Sequence, residues 1–118
     1  MFSFGCGRQD ARLQQHQEKL ESLATTTQAI AGAWLAGSVS GTYASTALDQ
    51  TLRLVEQERS ALAATPELLV DRRGARLSQR AERMSRLLAL MVHDVDASDG
   101  RSLRQRATEM AIALSAEL

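Results

Sequence analysis

Four stretches of the sequence repeat their apolar side chains at alternating steps of three and four residues. That period admits little except amphipathic helices packed against one another. In the first stretch, about Arg8 to Ala36, the row is Leu13, His16, Leu20, Leu23, Thr27, Ile30 and Trp34. In the second, about Thr42 to Ala64, it is Ala44, Leu48, Thr51, Val55, Glu58 and Leu62. The third, about Arg72 to Val95, carries Leu77, Ala81, Met84, Leu88, Met91 and Val95. The fourth carries Leu103, Ala107, Met110, Leu114 and Leu118.

The breaks between the stretches have helix-end chemistry. Gly37 suits the left-handed residue after a helix, and Ser40 suits the N-cap of the next. Thr65-Pro66-Glu67 reads as a cap, a proline at the first helical position and an acid in the first turn. It predicts a short turn, Pro66 to Val70, across one end of the molecule. Asp71 is placed to cap the third long helix and Ser98 the fourth.

Composition agrees with helix. The 118 residues contain a single proline and 3% aromatic side chains, and strand signals are scarce. The expected fold is all-α: an up-down-up-down antiparallel four-helix bundle with left-handed, coiled-coil-like crossings. Residues 8–118 are expected to form one domain, preceded by a flexible apolar segment over residues 1–7. At about 1.5 Å per residue the first helix would be roughly 43 Å long and overhang its partners, leaving Leu13 uncovered.

The opening residues are Met1-Phe2-Ser3-Phe4-Gly5-Cys6-Gly7. Gly5-Cys6 resembles the end of a bacterial lipoprotein signal, in which a small residue precedes a cysteine that becomes lipidated. Ser3 and Phe4 depart from that pattern, and no basic, apolar leader stands before them. As written, the sequence reads as cytoplasmic. With a start upstream and a lipid on Cys6, it would be periplasmic or membrane-anchored, and that anchor would be its only route to a membrane.

Motifs for chemistry are sparse. One cysteine excludes an internal disulfide framework and CxxC redox chemistry. Glu-x-x-His pairs, HExxH and phosphate-binding glycine loops are missing, so no cofactor, metal or catalytic set is expected. His16 and Glu58 are the inward-pointing polar residues of their rows. Equal spacing from the first loop brings them within about a turn of each other, with Arg76 or Arg80 as a competing partner for Glu58. A buried polar cluster is the expected outcome. Trp34 and Tyr43 flank the glycine-serine loop and offer a place for a small ligand.

The strongest surface signal is basic. Thirteen of the 14 basic residues are arginine, and they face 14 acids, for a net charge of zero. Arg72, Arg73, Arg76, Arg80, Arg83 and Arg86 fall within about a 140° arc of the third long helix. Such a flank can hold an acidic partner or phosphates, or it can be balanced by neighbours such as Glu56 and Glu58. Neutral net charge and the absence of interleaved aromatics argue against nucleic acid. The expected function is that of a non-enzymatic bundle working through contacts with a protein partner, as an envelope-associated accessory factor or a small cytosolic adaptor. Anion or nucleic-acid binding and small-ligand sensing are the alternatives. Leu114 and Leu118, with the overhanging first helix, predict a weak homodimer.

Overall fold

The structure is a computed structural model describing residues 2–115, with side chains over residues 8–114. Five helices follow one another: α1 (Phe2–Leu35), α2 (Gly41–Ala63), α3 (Pro66–Val70), α4 (Arg72–Asp96) and α5 (Gly100–Ser115). Among the described residues there is no strand. The molecule is all-helical and compact in cross-section, measuring 55 × 23 × 19 Å. Its long axis is set by the 34 residues of α1, about 51 Å of helix.

The first helix starts earlier than its apolar row. Residues 2–7, expected to be flexible, have helical backbone continuous with α1. Whether Cys6 is lipidated rests on a side chain outside the described residues, as does the place of Leu118 in the α5 row.

The helix ends explain the chain reversals. Gly37 has φ 76°, with its amide bonded to the Trp34 carbonyl and that of Ser38 to the Ala33 carbonyl. This closes α1 with paired reversed hydrogen bonds. The end of α4 repeats the device, and here the left-handed residue is Ser98, φ 55°. Ser98 and Asp99 donate their amides to the Val95 and Asp94 carbonyls. Ser98 is therefore the stop of α4, and the cap of α5 falls to Asp99. Its carboxylate accepts from the Ser102 amide at 3.1 Å and the Ser102 hydroxyl at 2.7 Å. Those two bonds, the hydroxyl's first, hold the Asp99 carboxyl below the ordinary aspartate range. Ser40 caps α2 through the Tyr43 amide, and Asp71 caps α4 through the Arg73 amide at 2.8 Å. Thr65 precedes Pro66 but turns its hydroxyl back to the Ala61 carbonyl, so it gives α3 no side-chain cap.

The core follows the rows closely in α2 and α4, where every named row residue is buried. Buried Thr27 and Thr51 satisfy their hydroxyls on the carbonyls four residues back. In α1 the buried line is Leu13, Leu20, Ala24, Thr27 and Ala31, while Leu23, Ile30 and Trp34 lie partly buried at its margin. The alanines turn α1 because they let a neighbouring helix come close. Gln28 exploits that approach, donating from Nε2 to the Ala107 carbonyl of α5 at 2.7 Å.

Leu13 is fully buried, contrary to the expected overhang. The start of α1 has partners at that end: Arg12 lies 3.9 Å from Glu67 of α3, and Asp10 lies 3.3 Å from Arg73 of α4. At the opposite end the close of α1, the start of α2, the close of α4 and the start of α5 converge. A Cβ on Gly41 would sit 3.7 Å from Trp34 Nε1 and 3.9 Å from Val95 Cγ1. One on Gly100 would sit 3.3 Å from Leu35 Cδ2.

Two helical glycines have opposite meanings. Gly74 is buried, and a Cβ there would collide with the Leu68 carbonyl oxygen of α3. Gly32 faces open space. Gly74→Ala is therefore expected to destabilise the protein by about 1–3 kcal/mol through overpacking. Gly32→Ala should stabilise it by about 0.5–1 kcal/mol through helix propensity. Urea unfolding with an unchanged slope measures both; the same sign for the two variants would contradict the α3–α4 contact.

Candidate functional site

The described surface has three places where chemistry gathers. The first is the pair singled out from the rows. His16 Nδ1 of α1 lies 2.8 Å from Glu58 Oε1 of α2. With the carboxylate ionised, Nδ1 carries the proton and donates. Glu58 is 8% exposed, and its second oxygen lies 3.6 Å from Lys19 Nζ. The third partner is thus Lys19, one turn along α1, in place of Arg76 or Arg80 from α4. Beside the pair, Lys19, Ser22, Leu23, Leu54 and Gln57 line an open groove of about 250 Å³. The arrangement cross-links two helices.

The second place has no counterpart in the sequence reading. Asp94 of α4 is 4% exposed, and its Oδ2 lies 3.6 Å from Arg106 Nε of α5. Burial raises the Asp94 carboxyl above the ordinary aspartate range, and the Arg106 guanidinium offsets only part of that cost. Sequence reasoning missed Asp94 because it falls outside the apolar row of α4. Its ion-pair partner comes from α5, the next helix in the chain. Arg106, three residues after Leu103 on the adjacent helix, was the available signal.

The third place is the arginine flank of α4. Arg72, Arg73, Arg76, Arg83 and Arg86 are exposed. Arg80 is not part of it: the residue is 6% exposed, with Nη2 3.5 Å from the Leu114 carbonyl. It lines a groove of about 350 Å³ with Glu21, Ala24, Gln28, Ala111 and Leu114. The correction has a simple cause. Several helices pack on α4, so its buried arc is wider than one row and takes in the position beside Ala81. The acids expected to balance the flank are engaged elsewhere: Glu58 holds His16 and Lys19, and Glu56 pairs with Arg59 at 3.2 Å. Arg73 reaches Asp10. Among the described residues, Arg72, Arg76, Arg83 and Arg86 have no ion pair.

Trp34 is partly buried and Tyr43 is 59% exposed at the end where the four helix termini meet. Among the described residues, no group of three or more His, Cys, Asp or Glu side chains could hold a metal ion. No described helix is long and apolar enough to cross a membrane. No protein-family model, curated protein or solved structure matches the chain.

The Asp94 carboxyl makes a pH test available. A raised folded-state value means the folded protein holds that proton more tightly than the unfolded chain does. Its contribution is favourable below the ordinary aspartate value near ~3.9 and is lost as pH rises through the raised one. Asp94→Asn removes this dependence. Urea unfolding of parent and variant between acid and neutral pH should show their stability difference shifting in the variant's favour as pH rises. A pH-independent difference would contradict the burial argument.

Proposed function

We propose that the protein is a non-enzymatic helical bundle that works by binding another protein, with the exposed flank of α4 as its contact surface. In this reading the four long helices run up-down-up-down with left-handed crossings, and α3 closes one end. The burial of the three–four rows in α2 and α4 and the convergence of four helix termini at one pole support that topology. An envelope-associated accessory role, anchored through Cys6, belongs to the same proposal.

The observation that carries it is the set of four exposed guanidiniums, Arg72, Arg76, Arg83 and Arg86, without ion pairs among the described residues. In a chain of zero net charge, local acids could have neutralised them. Left unpaired on one side of a rigid helix, they form a field that attracts and orients an acidic surface. Phosphate would answer the same chemistry, so nucleic acid or a small anion is the second reading.

Arg76, Arg83 and Arg86, each changed to Gln, keep helix-compatible polar side chains. Circular dichroism and thermal unfolding should match the parent. Cross-linked capture of partners from native lysate should be lost in the triple variant, and parent binding should weaken between low and moderate salt. Capture unchanged by the substitutions would remove the flank from the function. Parent binding to a labelled duplex would move the function to the second reading.

A further inference from the structure

We infer that the outer face of α4 is a second helix-packing row, shaped to receive an acidic amphipathic helix of another protein. The inference rests on the partner-binding reading above and names the partner's form. Arg72, Arg76, Gln79, Arg83, Arg86 and Leu90 step by four, three, four, three and four, and all six are exposed. This is the spacing of the buried row from Leu77 to Val95, repeated on the side that no described helix covers. At about 1.5 Å per residue the outer row is roughly 27 Å long, a straight line of side chains parallel to the helix axis.

A helix laid along α4 presents its own side chains at the same three–four spacing, so successive contacts stay in step. The row's chemistry selects the occupant. Four guanidiniums without ion pairs among the described residues call for carboxylates at matching positions, and the planar fork of arginine suits them. At the C-terminal end Leu90, 41% exposed, calls for an apolar residue. A second copy of the chain fits less well. Its α1 offers Glu18 and Glu21 to such a row, while Asp10 is already held by Arg73. A nucleic-acid backbone would use the charge but has no need of the helical spacing or of Leu90.

The test uses the full chain and two synthetic peptides of equal composition. One is a helical peptide with Glu at the three–four positions and a leucine near one end; the other has the same residues in scrambled order. Fluorescence anisotropy at low salt should show the patterned peptide binding about tenfold more tightly than the scrambled one, about 1.4 kcal/mol. The Arg76, Arg83 and Arg86 to Gln variant should erase that difference. Leu90→Ala should weaken the patterned peptide alone, with circular dichroism showing both variants folded. Equal binding of the two peptides overturns helix docking while the acidic-partner reading stands. Binding of neither overturns both. A labelled duplex bound more tightly than either peptide assigns the face to nucleic acid. Sedimentation showing a dimer that the triple variant loses assigns it to a second copy.

Discussion

Everything in this molecule leans on α4. Its apolar row from Leu77 to Val95 is buried throughout, and Gly74, Leu87 and Asp94 are drawn in beside it. A helix packed by neighbours on so wide an arc cannot shift without disturbing all of them, because interiors are close-packed. The approach of α3 at Gly74 fixes one end of α4, and the reversal at Ser98 fixes the other. What remains is an outward face, held rigid from behind.

Two polar pairs, each with a buried carboxylate, tie neighbouring helices at opposite ends. His16–Glu58 joins α1 to α2, and Asp94–Arg106 joins α4 to α5. They differ in how well they are served. Glu58 has a hydrogen-bonded histidine and a nearby ammonium. Asp94 has a guanidinium at 3.6 Å, and burial raises its carboxyl in spite of it. Removing one member of either pair strands the other in a poorly solvated place, so each penalises sliding between its helices.

The charge arrangement follows the same geometry. Neutrality overall conceals segregation: acids of α2 are spent on α1 and on their own helix, and the outer strip of α4 keeps its arginines. Exposed pairs within the chain contribute little to stability, so the fold loses little where these guanidiniums have no ion pair among the described residues.

The sequence by itself determined the helices, most of their caps and the buried rows of α2 and α4, because periodicity, proline, glycine and capping residues act locally. It also placed His16 near Glu58, since equal counting from a short loop aligns facing positions. It could not determine how widely each helix is covered. Arg80 reads as a member of the flank until α1 and α5 close over it, and Asp94 reads as a surface acid until α5 crosses it. Ser98 and Asp99 are both good caps by composition. The left-handed turn ending α4 takes the first and leaves the second for α5. Leu13 looks stranded until α3 and the start of α4 meet α1. For Arg80, Asp94 and Leu13 the deciding contact comes from another helix, and burial on a helix depends on how many neighbours arrive, which no local pattern encodes.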